Sequence, residues 1–106
     1  MIYTVTLNPS LDYIIDVKHF EPGMVNRATA EKIFAGGKGI NVSMVLKNLG
    51  FDSTALGFLA GFTGKEIERQ LEGKGISTDF ICLEEGISRI NMKIRSEVES
   101  EINGLG

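Results

Sequence analysis

Six residues in mid-chain have the make-up of an anion site: Gly36-Gly37-Lys38-Gly39-Ile40-Asn41. Consecutive glycines let backbone N–H groups approach a ligand with no Cβ in the way. The segment runs straight into the best helical pattern of the chain, and a helix start offers unpaired N–H donors and partial positive charge. Lys38 adds a full charge. This chemistry suits a phosphate or a sugar phosphate, and an ordinary glycine-rich helix entry fits the same residues equally well. No Ser or Thr follows the lysine, so it is not a nucleoside-triphosphate loop. Val42 stands where a dinucleotide fingerprint needs its last glycine, which disfavours a nicotinamide oxidoreductase.

Two other sets of side chains have chemical potential. Asp12 follows the turn Asn8-Pro9-Ser10 after a strand-like segment. Ligands of parallel α/β sheets sit beyond the carboxyl ends of the strands, where a carboxylate can accept two sugar hydroxyls. A turn aspartate bonding its own backbone is the plainer alternative. Asn41 is open in the same way, as ligand contact or first-turn residue. Arg89, Asn91, Lys93 and Arg95 alternate with Ile90, Met92 and Ile94, which gives one strand a basic face. Such a face suits a phosphate, or it is a solvated face paired with Glu97, Glu99 and Glu101. Cys82 lies in an apolar stretch and is expected to pack as a small hydrophobe. His19 has no evident role.

The elements that would hold these residues follow from pattern. Ile2–Leu7 and Asp12–Val17 read as strands, the first of them buried, and Ala28–Phe34 as a third. Gly39–Leu49 reads as a helix with Val42, Val45, Leu46 and Leu49 on its apolar face and Gly50 as C-cap. Ser53–Leu59 reads as a buried strand. Thr63-Gly64-Lys65-Glu66 has the form of a capping box opening a helix with Ile67 and Leu71 inward. Asp79–Leu83 reads as a strand, and Glu101-Ile102-Asn103 as pairing back on the Arg89–Arg95 strand. Alternating helices and strands argue for a parallel sheet with helices on its faces.

The chain has 106 residues, a net charge of −3, 42% apolar and 24% charged residues, one cysteine and one histidine. That describes one small globular domain and argues against nucleic acid as a partner. An internal disulfide and most zinc sites are excluded. No apolar run is long enough to span a membrane. The start Met1-Ile2-Tyr3-Thr4 has no basic stretch, so a cytoplasmic setting without a secretory leader is expected. Thirteen glycines are many for this length, and the ending Gly104-Leu105-Gly106 in mid-loop reads as unfinished.

Three segments together point further. Thr6-Leu7-Asn8-Pro9-Ser10-Leu11-Asp12, Gly36-Gly37-Lys38-Gly39-Ile40-Asn41-Val42 and Ser88-Arg89-Ile90-Asn91 stand in the order and spacing of the ribokinase-like (PfkB-type) sugar kinases. Leu56–Gly64 and Glu101-Ile102-Asn103-Gly104 add to the match. The chain resembles that family along its whole length, and most resembles its members that phosphorylate fructose 1-phosphate, with the tagatose-6-phosphate kinases as near neighbours. The resemblance implies an α/β fold, the N-terminal part of a three-layer α/β/α sandwich with a small β lid. Residues 1–106 would be one N-terminal fragment, with lid segments at about 12–17, 28–34 and 89–103 and the lid also clasping a homodimer.

The resemblance also implies roles. Asp12 becomes the acceptor of sugar hydroxyls, and Gly37 and Asn41 become further sugar contacts. Arg27, Lys38, Arg89 and Lys93 become candidates for the phosphate of a phosphorylated ketose. The family's catalytic aspartate, in a Gly-Ala-Gly-Asp segment, and its ATP pocket lie in a C-terminal part that this sequence does not contain. No catalytic, cofactor or metal residue is therefore assigned here. ATP and Mg²⁺ belong to the full-length enzyme, neither is expected to bind this chain alone, and the chain is expected to be inactive by itself. A free-standing sugar-phosphate-binding or dimerisation module is the rival reading.

Overall fold

The computed structural model describes residues 1–106. Its elements run β1 (Tyr3–Thr6), β2 (Ser10–Val17), β3 (Ala28–Gly36), α1 (Lys38–Asn48), β4 (Thr54–Ala60), α2 (Gly61–Gly73), β5 (Ser77–Thr78), β6 (Ile81–Leu83), β7 (Arg89–Arg95) and β8 (Ser100–Asn103). They form two sheets. In the first, β4 pairs in parallel with β1, β5 and β6. The second has the order β3-β2-β7-β8, with β2 antiparallel to β3 and parallel to β7. No helix is long and apolar enough to cross a membrane.

Both helices lie on one side of the first sheet. Ile40 of α1 and Ile67 and Leu71 of α2 meet Ala55, Leu59, Ile76, Leu11 and Ala35 in a single core. On β1 the side turned toward α1 carries Thr4 and Thr6, and the packing there is polar. Thr4 Oγ1 lies 2.6 Å from Ser43 Oγ, which also accepts a hydrogen bond from Ser53 Oγ at 2.9 Å. Thr6 Oγ1 accepts the N–H of Ile40 at 3.0 Å. These hydroxyls satisfy one another and one helix-start donor, so their burial carries little penalty.

The opposite side of the same sheet is bare. Tyr3, Val5, Leu7, Phe58, Ile81 and Leu83 are exposed there. The chain thus contributes two layers, sheet and one helical layer, in a slab 49 × 35 × 18 Å. β1 is therefore not the strand buried on both faces that its sequence suggests.

Three further expectations are corrected. The buried side of α1 carries Ile40 and Ser43, while Val42, Val45 and Leu49 face solvent. Helix propensity placed the helix, but the glycines at its start set which side approaches the sheet. Next, α2 begins at Gly61, so Thr63 lies inside it and is no cap. Its buried hydroxyl donates to Ser88 O at 2.7 Å, which ties α2 to the entry of β7, and Glu66 pairs with Arg69. Cys82 is exposed, because β6 is a short outer strand that no layer covers. His19, to which the sequence assigned no role, sits at φ 56° with Nδ1 2.7 Å from Glu97 Oε1.

An apolar sheet face of this size drives association in water. Sedimentation of the chain should show self-association that grows with concentration. A Val5→Lys, Leu83→Lys double substitution should shift it to monomer with an unchanged circular dichroism spectrum. A stable wild-type monomer with a cooperative melt over the same concentrations would contradict this account of the bare face.

Candidate functional site

The second sheet has a polar face, built by strand register. Asp12 of β2 is opposite Phe34 of β3 and Asn91 of β7, and Asn91 is opposite Asn103 of β8. The next row along carries Lys32, Ile14, Lys93 and Glu101. Side chains two residues apart on a strand share a face, so four strands bring these rows together. They line a cleft of about 220 Å³ formed by Asp12, Ile14, Phe34, Asn91, Lys93, Glu101 and Asn103, with Tyr13 and Met92 at its edge.

Asp12 is fixed at the inner end of this cleft. Its Oδ1 accepts hydrogen bonds from Ser10 Oγ at 2.7 Å and from Asn91 Nδ2 at 3.2 Å. Its Oδ2 lies over Gly36, where a Cβ would sit 2.2 Å away. One carboxylate oxygen is thus held by the protein, and the other has no hydrogen-bond partner in the chain. That is a suitable acceptor for hydroxyl groups.

The basic stripe divides into paired and unpaired members. Arg95 binds Asp16 at 2.7 Å and holds its carboxyl below the usual carboxylate range. Lys93 lies 3.3 Å from Glu101 and 4.0 Å from Glu99, so two carboxylates compete for its charge. Arg89 forms no ion pair, and its Nε is buried without a hydrogen-bond partner. Its side chain lines a larger cavity of about 490 Å³ with Ala60, Ile87, Gly104 and Gly106. Arg89 is the register partner of Ser10, two residues before Asp12. Strand rise and spacing put the Cα atoms of Arg89 and Asp12 on the order of 8 Å apart.

The remaining candidates sit elsewhere. Gly37 is the N-cap of α1, at φ 126°, and a Cβ there would meet Thr6 Cγ2 at 2.6 Å. Gly39 packs as closely, with Val5 O 2.6 Å from its would-be Cβ. The space these glycines leave open is thus occupied by β1. Lys38 and Asn41 are exposed in the first turn of α1 and do not line the cleft. Arg27 is exposed immediately before β3, seven residues from Phe34, hence on the order of 20 Å along the strand from Asp12. No three His, Cys, Asp or Glu side chains come together as a metal site.

Sequence reasoning did not single out Ser10 or Asn103 as site residues, and it took Gly36 only as part of the glycine cluster. Asn91 was visible as one member of the alternating stripe. The seat of Asp12 on Gly36 needed the β2–β3 register, which no local pattern supplies.

The pattern of the pfkB family of carbohydrate kinases matches residues 5–103. The 1-phosphofructokinase of Borreliella burgdorferi is 56% identical over 104 residues, 97% of this chain and 34% of that protein. The D-tagatose-1-phosphate kinase of Bacillus licheniformis is 47% identical over 106 residues, 100% of this chain and 34% of its own length. The tagatose-6-phosphate kinase of Staphylococcus epidermidis is 45% identical over 80 residues, 76% of this chain and 26% of its own length. The crystal structure of a candidate phosphofructokinase from Staphylococcus aureus superimposes with a TM-score of 0.91 at 54% identity, covering 100% of this chain and 34% of that one. The chain spans about a third of the length of the curated relatives it matches.

The contact between Asp12 and Gly36 is directly testable. A methyl group at Gly36 must displace the carboxylate or the strand. Gly36→Ala should destabilise the chain by about 1–3 kcal/mol in urea unfolding, the usual cost of overpacking. A change within about 0.5 kcal/mol, the range of neutral surface substitutions, would show that Asp12 is not seated on Gly36.

Proposed function

The chain belongs to the pfkB family of carbohydrate kinases, and from that premise we propose that it is the sugar-phosphate-binding and lid portion of a kinase acting on a phosphorylated ketose. Fructose 1-phosphate is the first choice of substrate and a tagatose phosphate the second, in line with the names of its relatives. The observation that carries the reading is Arg89. A buried guanidinium nitrogen with no acceptor is costly unless an anion completes it. Arg89 stands one strand away from a carboxylate with a free oxygen, so one ligand can offer a phosphate to the first and hydroxyls to the second.

In this reading Asp12 accepts sugar hydroxyls through Oδ2 while Ser10 and Asn91 hold Oδ1. Arg89 binds the substrate phosphate. Lys38 and the unpaired N–H groups at the start of α1 add positive potential at the same end of the sheet. Gly37 and Asn41 would be further sugar contacts only from the exposed side of that helix start, since β1 fills the side where a Gly37 Cβ would sit. Lys93, shared with Glu101 and Glu99, is a weaker phosphate ligand than Arg89. Arg27 is too far along β3 to reach the same ligand from within one chain.

The complete enzyme would transfer the γ-phosphoryl group of ATP, with Mg²⁺, to a hydroxyl of the ketose phosphate. The nucleotide, its metal and the catalytic base would be held outside residues 1–106. This chain binds and orients the acceptor sugar and is inactive alone. The second sheet would act as lid and homodimer clasp, in a cytoplasmic enzyme.

Calorimetric titration of the chain with fructose 1-phosphate and with fructose tests the division of labour. Arg89→Ala should weaken fructose 1-phosphate binding about 10- to 150-fold, the range for one lost charged hydrogen bond, and leave fructose nearly unchanged. Equal weakening of both sugars would place Arg89 in the fold and not at the phosphate. With ATP and Mg²⁺ added, release of ADP at the roughly 1–100 s⁻¹ of kinases, abolished by Asp12→Ala, would overturn the assignment of catalysis to residues outside this chain.

A further inference from the structure

Asn91 makes two side-chain hydrogen bonds whose directions fix its amide. Nδ2 donates to Asp12 Oδ1 at 3.2 Å, and Oδ1 accepts the backbone N–H of Gly104 at 3.3 Å. A flipped amide would set its oxygen against a carboxylate and its NH₂ against an N–H, so only one orientation is tenable. Gly104 reaches this position because it has no side chain: a Cβ would lie 2.6 Å from Ile90 O, which also accepts the Gly104 N–H at 3.0 Å. The amide thus links the strand carrying Asp12 to the point where the chain leaves β8.

We propose that Asn91 is the positioning residue of the sugar site: its amide holds Oδ1 of Asp12, leaves Oδ2 over Gly36 free of any protein donor, and ties that orientation to the end of β8. The proposal rests on the reading of Asp12 as hydroxyl acceptor. Asn91 need not touch the sugar itself. Without its donor, Oδ1 keeps only Ser10, and the carboxylate is free to rotate about χ2. The β8 end also loses a tether, so the position of Gly104 and the shape of the Arg89 cavity beside it no longer depend on the state of Asp12.

Asn91→Asp separates this role from simple packing, since it keeps the shape and the acceptor for Gly104 but removes the donor. At pH 7.5 two carboxylates face each other, and at pH 5.5 they can share one proton, which restores a donor toward Asp12. The other charged groups near this row are Arg89 and Lys93 of β7, Lys32 of β3 and Glu101 of β8, with Glu99 against Lys93, and all are retained in the variant.

Titration of the chain with fructose 1-phosphate at both pH values reads the effect. Relative to the wild type at the same pH, Asn91→Asp should bind about 10- to 100-fold more weakly at pH 7.5 and within about threefold at pH 5.5. Asn91→Leu should bind weakly at both. Equal affinity of Asn91→Asp and the wild type at pH 7.5, or an equal loss at both pH values, overturns the proposal. Failure of the wild type to bind fructose 1-phosphate would instead defeat the functional reading. The positioning role then stands or falls on nitrogen-edited NMR: the Asn91 side-chain NH₂ resonances should move in Asp12→Ala, and the Gly104 amide resonance should move in Asn91→Leu while its bond to Ile90 O remains. Unchanged signals in both variants overturn it.

Discussion

The carboxylate of Asp12 lies directly against Gly36, in space that any other residue would fill. That single contact requires β2 and β3 to pair in the register Ser10–Gly36 and Asp12–Phe34. A second register, the parallel pairing of β2 with β7, sets Asn91 opposite Asp12 from the other side. A slip of one residue on either side would turn Asp12 to the apolar face and bring Leu11 or Tyr13 into the cleft. Ser10, 1% exposed, supplies the remaining donor from two positions earlier on the same strand face. The polar face of the second sheet is therefore the consequence of three strands agreeing on one alignment.

The first sheet supports that face from behind. The glycines that precede α1 bring the helix close to β1, and the hydroxyls of Thr4, Thr6, Ser43 and Ser53 absorb the polar groups of that contact. The helix start is held beside the end of β3, two residues after Gly36. Thr63 and Ser88 do the same for the entry of β7, since Thr63 Oγ1 donates to Ser88 O and Ser88 Oγ accepts the N–H of Ala60 at 3.1 Å. The end of edge strand β3 and the entry of inner strand β7 are thus both held near points fixed by buried hydroxyl bonds. The apolar side of the first sheet has no such partner within the chain. Its exposed Val5, Leu7 and Phe58 fit a protein whose relatives are about three times as long.

Much of this was legible in the residues. The helix after Gly39 and the one-sided strand from Arg89 follow from periodicity and turn signals, while residues 28–34, open to helix or strand by propensity, follow as a strand from the short span before the glycine cluster. The polar alternation of β7 also foretold that Arg89, Asn91 and Lys93 share a face. What periodicity could not supply was the side that each element buries. Val42, Val45 and Leu49 have the spacing of a core face, yet Ile40 and Ser43 are the residues that meet the sheet, since a close glycine contact outranks side-chain hydrophobicity in orienting α1. Thr63 had the neighbours of a helix cap, but Gly61 already begins the helix, so its hydroxyl serves a tertiary contact that no local window reveals. The glycine cluster left a ligand site and a close helix entry equally open, and Thr6, Val5 and Asp12 stand where its Cβ atoms would sit. The pairing of Lys93 with Glu101 depended on β8 folding back in one register, which the sequence allowed without specifying.

The central claim is that the polar face of the second sheet binds a ketose phosphate through Asp12 and Arg89. Backbone amide NMR of the chain during a fructose 1-phosphate titration tests it most directly. Saturable shifts should cluster at Asp12, Gly36, Arg89, Asn91 and Gly104, with little change at Lys47 and Lys74 on the far side of α1 and α2. Shifts that fail to saturate, or that saturate around Lys47 and Lys74 with the Asp12 cluster unmoved, would contradict it.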